Sequence, residues 1–394
     1  MHQSSRAAHS RPENPGVRAG TDLMSSQHRD VLRWSEDGEL RCARWVSESG
    51  KAAPRHVVVA DDRMPASTAH RHVRDGTAIL WRGDYHNARN LMHALRRRVD
   101  ARRPGDFSFQ QQRKRQAVRA RLLGMLLVPV DAGHVVPLRR APDVRAACLD
   151  VLGPAPEPYV MSLRELLGVI GAREWRRKGV EVPALGARIH PHYGVFAPVR
   201  GEYVDLVATA ALPTGGVAFD IGTGTGVLAA VLAHRGVARI VATDQDPRAL
   251  ACARENIARL GFADRVSVEA ADLFPAGRAA LVVCNPPWIP AQPTTPIENA
   301  VYDPGSRMLR GFLAGLADHL EPGGEGWLVL SDLAEHLGLR SRARLSEWIR
   351  ESGLEVAGRL DVPARHPRAG DPGDPLHAAR SAEVTSLWRL RHRQ

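Results

Sequence analysis

From Pro213 onward the sequence predicts an α/β domain, a mostly parallel sheet covered by helices on both faces, preceded by a smaller N-terminal α+β domain. Three observations predict it. Strand and helix signals alternate after Pro213; the first of those strands runs into a glycine-rich turn that opens a helix; and two late apolar stretches, Leu354 to Leu360 and Glu383 to Leu390, supply closing strands. At 394 residues the chain exceeds the size at which one core usually stops growing, so two unequal domains are expected.

Taken in order, residues 1–28 are rich in Ser, Arg, Pro, Gly and His and lack the apolar run of a secretory signal. They are expected to form a disordered tail, with Met24 an alternative start. Residues 29–158 are expected to fold as a substrate-recognition domain. Short apolar runs such as Val57-Val58-Val59 give way to a helical pattern from Tyr85 to about Val130. There Leu91, Ala94, Leu95 and Val99, then Ala117, Val118 and Leu122, recur at three and four residues, and Pro104-Gly105 divides the stretch. Gly153 to Pro158 carries three prolines and reads as a linker. A connecting helical region follows over 159–212: Ser162 with Glu165 three residues on is a capping-box signature for a helix towards Gly171, and Arg200 to Ala211 reads as another helix.

The domain at 213–394 is expected to hold strands at Val217 to Ile221, Arg239 to Thr243, Val266 to Ala270, Ala280 to Cys284 and Gly326 to Leu330. Helices are expected at Gly226 to Arg235, Pro247 to Leu260, Met308 to Leu320 and Ser341 to Ser352. Pro247 suits a first helical turn and Gly261 a C-cap.

Composition narrows the function classes. Hydrophobic residues make up 44% and charged residues 25%, the balance of a globular protein. The longest strongly apolar run, Leu122 to Val130, is far shorter than the roughly 20 residues of a membrane-spanning helix, so no membrane partner is expected and the expected location is the cytoplasm. Cys42, Cys148, Cys252 and Cys284 lie too far apart for a Cys-x-x-Cys pair, and no metal is expected. The net charge is +11, and between Arg89 and Arg121 eleven basic residues face only Asp100 and Asp106. Such a segment attracts nucleic acid through steering and counterion release; the alternative is a solvated helix face.

The chemistry concentrates in two motifs. Asp220-Ile221-Gly222-Thr223-Gly224-Thr225-Gly226 follows a predicted strand and opens a predicted helix, the context of a ligand loop whose glycines admit close backbone approach. A dinucleotide fingerprint would need glycine at 227, where this chain has Val, which makes a dehydrogenase the least favoured class. The acid two positions before the first glycine suits a ligand with a cationic amino-acid end. Asp244 ends the second strand, where a carboxylate accepts both ribose hydroxyls, and Asp272, followed by Leu273, comes after the third, placed to meet an adenine amine. Alone, each aspartate is also compatible with a helix cap, and together they place three acids at the carboxyl ends of successive strands. The second motif, Asn285-Pro286-Pro287-Trp288, ends the fourth strand. Two prolines stiffen the loop and remove donors, so the Asn285 carboxamide oxygen and the Pro286 carbonyl can take both protons of a planar amino or amide nitrogen while Trp288 stacks on its plane.

These residues resemble the class I S-adenosylmethionine-dependent methyltransferases, in the branch whose fourth motif reads Asn-Pro-Pro-aromatic. That branch includes release-factor glutamine methyltransferases and enzymes acting on exocyclic amines of nucleic-acid bases. The resemblance covers about Tyr193 to Leu390 and implies a Rossmann-like sheet of seven strands, the last antiparallel. It implies that Asp220, Gly222, Thr223, Gly224 and Gly226 line the methionine end of S-adenosylmethionine, that Asp244 holds the ribose, that Asp272 and Leu273 lie by the adenine, and that Asn285, beside the cofactor, grips the target nitrogen with Pro286 and Trp288.

Substrate choice lies outside these motifs. The stretch Phe196-Ala197-Pro198-Val199-Arg200-Gly201-Glu202 resembles the release-factor enzymes' segment only loosely, so a nucleic-acid base (RNA or DNA) is the expected substrate, on the strength of the basic segment. A protein glutamine amide, a small molecule, or a non-catalytic nucleic-acid adaptor on this fold are the alternatives. Glu298, Tyr302 and Asp303 are candidates for shaping the target pocket. The cluster His190, His192 and Tyr193 reads as an interface cluster sooner than as a lid.

Overall fold

The computed structural model describes residues 31–100, 108–293, 296–365 and 367–393; the expected N-terminal tail and the Pro104-Gly105 break lie outside the described residues. The N-terminal domain contains β1 (Val31–Glu36), β2 (Glu39–Val46), β3 (His56–Ala60), α1 (Ala66–Arg74), β4 (Thr77–Trp81), α2 (Tyr85–Asp100), α3 (Phe109–Leu123), β5 (Leu126–Val130), α4 (Arg145–Leu152), β6 (Tyr159–Ser162) and α5 (Leu163–Lys178). Its strands form one sheet in the order β1-β2-β6-β5-β4-β3.

Two sequence expectations change here. The helical pattern stops at Gly124, and Leu126–Val130 is a strand buried along its whole length. A continuous apolar run buried on both faces carries no period to separate strand from helix. Its Pro129 lies beyond the Ile79↔Leu126 and Leu80↔Leu127 pairing with β4, so the missing N–H costs no ladder bond on that side. Nor does Gly153 to Pro158 end the domain. β6 follows it and inserts between β2 and β5, and α5 adds Leu163, Leu166 and Val169 to the same core, so the N-terminal unit runs to about Lys178. A four-residue strand directly after three prolines is too short to announce itself. Ser162 does cap α5, accepting from the Arg164 amide, but no capping box closes. Glu165 accepts instead from Ser47 Oγ (3.0 Å) and the Glu48 amide (3.1 Å), and α5 continues through Gly171 to Lys178.

A short hairpin of β7 (Val180–Val182) and β8 (Ala187–Ile189), then α6 (Glu202–Thr209), lead into the second domain. It is built from β9 (Val217–Ile221), α7 (Val227–His234), β10 (Arg239–Asp244), α8 (Pro247–Arg259), β11 (Val266–Ala270), β12 (Ala279–Cys284), α9 (Arg307–His319), β13 (Leu320–Ser331), α10 (Leu333–His336), α11 (Arg342–Glu351), β14 (Leu354–Pro363), α12 (His377–Ser381) and β15 (Val384–His392). The order is β11-β10-β9-β12-β13-β15-β14, parallel from β11 to β13, with β15 antiparallel to both its neighbours. This is the expected α/β Rossmann-like sheet of seven strands. β13 starts earlier than expected because its pairing with β12 shifts register between Ala279 and Leu281. Strand order reverses at β9, which has β10 on one side and β12 on the other, and open α/β sheets bind ligands in the crevice at that point.

α7 is apolar and buried over seven of its eight residues because it lies between the sheet and α6. The two domains meet on α8. His192 Nε2 lies 2.8 Å and Arg176 Nη2 2.6 Å from Glu255 Oε2, Asn256 Oδ1 accepts from the His190 amide (2.8 Å), and Arg248 bonds Glu48 (2.8 Å) beside the Tyr193 ring. Burial raises the Glu255 carboxyl, yet His192, Arg176 and Arg259 outweigh it and hold the group at about 2. The histidine cluster is therefore part of the domain junction. Among the described residues no helix is long and apolar enough to cross a membrane, and no three His, Cys, Asp or Glu side chains gather as metal ligands do.

On the other face of the sheet, Phe312 of α9 is fully buried and stacks on Phe274 at 5.8 Å between centroids. Phe312→Ala is expected to destabilise the fold by about 3–5 kcal/mol, the cost of lost burial plus an unfilled cavity, read as a lower midpoint in denaturant unfolding at unchanged m.

Candidate active site

Asp220 is the fourth residue of β9 and only 1% exposed. Its Oδ2 accepts from Thr223 Oγ1 (2.6 Å) and from the Ala229 amide (3.0 Å), so one carboxylate oxygen ties the glycine loop to the first turns of α7. Burial raises the carboxyl to about 6, only partly offset by those two donors. Above that pH it is an anion beneath the loop.

The loop itself needs glycine. Gly226 has φ +79, and a Cβ there would meet Ala253 of α8 at 3.2–3.3 Å, so the residue lets α7 and α8 approach. Gly224 has φ +55 and nothing within 4 Å of the Cβ position. Its open flank is a cradle of bare backbone at the crevice. The Thr223 amide donates to the Thr243 carbonyl (2.8 Å) and the Gly224 amide to Asp244 Oδ2 (3.0 Å), which locks the loop onto the end of β10.

Asp244 Oδ1 accepts from the Asp246 amide (3.0 Å), and with the Gly224 and Gln245 amides also acting on it the carboxylate still has lone-pair capacity left. Burial raises this carboxyl too. Thr243 Oγ1 donates to the Leu273 carbonyl (2.5 Å), and Leu273 adopts φ +77, a costly conformation for a branched side chain, which turns the chain after β11 back over the crevice. Asp272 lies farther out: its side chain is 69% exposed, with Arg307 at 3.6 Å. Thus Asp220, Thr223, Gly224, Gly226 and Asp244 form one hydrogen-bonded unit, Leu273 adjoins it, and Asp272 stands on the rim. A half-buried carboxylate with free lone pairs, a bare backbone cradle and an anion beneath it fit a nucleoside with a cationic amino-acid tail, which is the chemistry of S-adenosylmethionine.

Asn285 follows β12 at the opposite side of the switch point. Its Oδ1 already accepts from Trp288 Nε1 (2.8 Å), a bond that closes the Asn-Pro-Pro-Trp turn on itself and fixes the carboxamide plane. One lone pair of that oxygen remains. Trp288 is half-buried between three apolar clusters, and the Arg200 guanidinium lies 5.0 Å over its ring. Arg200 is held there by Glu383 (3.0 Å), whose Oε1 also accepts from Ser331 Oγ (2.6 Å). Downstream, Asp303 is buried and accepts from the Met308 and Leu309 amides at the start of α9.

The sequence did not announce the wall of this site. α3 of the N-terminal domain lies against the target loop: Arg113 Nη1 and Nη2 reach both oxygens of Glu298 (3.2 and 3.1 Å), Nη2 donates to the Gln292 carbonyl (2.7 Å), and the guanidinium stands 4.1 Å over the Tyr302 ring. Phe109 packs on Tyr302 at 6.4 Å and shares a cluster with Ile289 and Leu333. Arg113 was legible only as one of many arginines. Glu298 and Tyr302, the candidates for shaping the target pocket, are both in contact with that helix.

The second domain is similar to known methyltransferases. The family described as "Methyltransferase small domain" matches residues 187–351. A release factor glutamine methyltransferase of Cereibacter sphaeroides is 39% identical over 130 residues, covering 32% of this chain and 43% of that protein. One from Mycolicibacterium smegmatis is 34% identical over 195 residues, covering 45% and 65%. A tRNA1(Val) (adenine(37)-N6)-methyltransferase of Shewanella amazonensis is 32% identical over 174 residues, covering 39% of this chain and 72% of that protein. The chain thus spans less than two thirds of either glutamine methyltransferase.

Two outcomes follow from the carboxylates. Asp220 has a folded pKa of about 6 against 3.8 unfolded, so its contribution to stability is fully present below the unfolded value and is lost as pH rises through about 6. Ligand binding runs the other way. Calorimetric titration with S-adenosylmethionine should show affinity falling as pH drops below about 6, as the buried anion beneath the loop is neutralised, and Asp220→Asn should flatten that dependence. Asp244→Ala should weaken cofactor binding by about tenfold or more, since a charged acceptor is lost; an unchanged dissociation constant would remove its ribose role.

Proposed function

The chain belongs to the class I S-adenosylmethionine-dependent methyltransferases of the Asn-Pro-Pro-aromatic branch, and from that premise we propose that it is an N-methyltransferase for an exocyclic amine of a nucleic-acid base. One observation carries the substrate class: the arginine-rich helix α3 is braced directly on the target loop through Arg113, Glu298 and Tyr302. Lys114 and Arg121 on α3, with Arg89, Arg96, Arg97 and Arg98 on the adjoining α2, are exposed. A strand drawn to that surface is delivered beside Asn285. The cytoplasm, expected from the sequence, is where such a substrate is met.

When bound, S-adenosylmethionine supplies an electrophilic methyl group on a positively charged sulfur. Asp220 and the loop from Gly222 to Gly226 would hold its methionine end, Asp244 its ribose hydroxyls, and Leu273 with Asp272 its adenine. The remaining lone pair of Asn285 Oδ1 accepts one proton of the target amine and the Pro286 carbonyl accepts the other. Both bonds localise the nitrogen lone pair out of conjugation and aim it. The Trp288–Asn285 bond keeps the carboxamide from rotating, so its oxygen is held in one orientation for the target. With Arg200 over one face of the indole, a planar target stacks from the other. No side chain is covalently modified, and alignment replaces a strong base.

A second reading is a glutamine amide in a protein, favoured by the identity to the release factor enzymes. The two separate in one assay: transfer of labelled methyl from S-adenosylmethionine into lysate of a strain lacking this protein, with RNA, DNA and protein digested separately. Label is expected in a nucleic-acid pool; label confined to protein moves the substrate to an amide, and none in any pool favours an adaptor. Asn285→Ala should lower turnover by about a hundredfold or more while cofactor affinity stays near that of the unsubstituted chain. Undiminished turnover would take Asn285 out of the mechanism.

A further inference from the structure

Next to the target loop lies a group of basic side chains with buried nitrogens that make no hydrogen bond, although Arg200 is ion-paired with Glu383 (3.0 Å) and Arg380 with Asp374 (3.4 Å). Among the described residues seven buried side-chain nitrogens and oxygens lack a hydrogen-bond partner, and five belong to four residues near where β12 and β13 end and β15 begins: Arg200 Nε, Arg340 Nε and Nη2, His377 Nδ1 and Arg380 Nε. Folded proteins leave few such groups, and each one calls for a cause.

Arg340 is the most extreme. It lies between α10 and α11, is 5% exposed, and has two unpartnered nitrogens. The carboxylates around it are committed elsewhere. Asp303 accepts from the Met308 and Leu309 amides, Glu335 from Arg342 (2.7 Å), and Asp332 from the Val384 amide (2.8 Å). Burial lowers the Arg340 pKa, and Glu335 and Asp303 pull the other way without bonding it. An uncompensated buried cation destabilises a fold, so its place there needs a return from outside the chain.

Arg380 flanks the same spot. Leu339, next to Arg340, and Ala379, next to Arg380, pack in one apolar cluster with Trp288, Ile289 and Tyr302. Arg200 and Arg380 keep 17% and 19% of their side chains exposed, so the group lies at the protein surface and not in a core. Guanidinium forks match phosphate oxygens in plane and spacing.

We propose that Arg340 and Arg380, with His377 and Arg200 at the rim, form a phosphate subsite that holds the backbone of a nucleic-acid strand next to the base presented to Asn285. It rests on the nucleic-acid reading above. The α2–α3 surface attracts the strand from a distance; the subsite fixes its register at the reacting amine.

The test is fluorescence-anisotropy titration of the full chain with a labelled short oligoadenylate and with its uncharged methylphosphonate analogue, alongside cofactor binding and thermal unfolding. Arg340→Met and Arg380→Gln should each weaken phosphodiester binding about tenfold and lower its salt slope by about one, while methylphosphonate and cofactor binding stay unchanged. Arg340→Met should also raise Tm, because it removes a buried cation that has no partner. If Arg340→Met fails to fold, the partly exposed Arg380→Gln decides. Undiminished phosphodiester binding in the folded variants overturns the subsite alone. Failure of the unsubstituted chain to bind either oligonucleotide at low salt overturns the nucleic-acid reading and the subsite together.

Discussion

A carboxylate placed where water cannot reach it organises the ligand edge of the sheet. Asp220 Oδ2 joins the hydroxyl of Thr223 to the amide of Ala229, and so decides where the glycine loop turns and where α7 begins. With that anchor in place, the loop's amides meet the end of β10: Thr223 finds the Thr243 carbonyl and Gly224 the Asp244 carboxylate. Thr243 then reaches Leu273 and sets the turn after β11. A chain of short bonds thus carries the position of one buried acid across three strands. The cost is a charge under a desolvated roof: a shift from 3.8 to about 6 corresponds to about 3 kcal/mol at neutral pH. A sheet selected only for stability would not keep an acid there; a cationic ligand bound above it would offset the cost.

The other half of the crevice is built on a different principle. Asn285, Pro286, Pro287 and Trp288 close on themselves through one indole–carboxamide bond, and Ile289 then pairs with Tyr302. Glu298, Tyr302 and Asp303 are held from outside, by α3 through Arg113 and Phe109 and by the amides at the start of α9. Cofactor side and target side therefore differ in who supports them. The first is internal to the second domain; the second depends on the N-terminal domain keeping its place on α8, which the Glu255 junction secures.

That division also explains what could be read in advance. The second domain was legible nearly element by element, because parallel strands and helices alternate there with clear periods, and because Gly224 and Gly226 occupy conformations that few other residues tolerate. The Asn285 motif was legible because two prolines and an aromatic beside an amide have few other uses. β5 and β6 were not: one is an unbroken apolar run without a period, the other four residues behind a proline cluster. Glu165 looked like half of a capping box because sequence offers only local partners, whereas its real ones lie more than a hundred residues away at Ser47 and Glu48. Arg113 and Arg340 were hidden for a compositional reason. In a chain whose 54 basic residues are nearly all arginine, an arginine that braces a loop and one that is buried without a partner look like any other.

Burial separates those arginines again. A surface arginine in an exposed pair contributes little and costs little. Arg113 gives up solvent and receives a bidentate carboxylate, a carbonyl and an aromatic face in return, a closed account within the chain. Arg340 gives up more and receives no hydrogen bond at Nε or Nη2. Both lie around the same loop, so the contrast is not one of region or of composition. The fold satisfies the cation that shapes the site and leaves unsatisfied the one next to where a substrate would lie. Local rules are broken most often where a ligand completes them, and at the crevice's two sides this chain breaks them with opposite signs: a buried anion under the expected cationic end of the cofactor, and a buried cation beside the target loop.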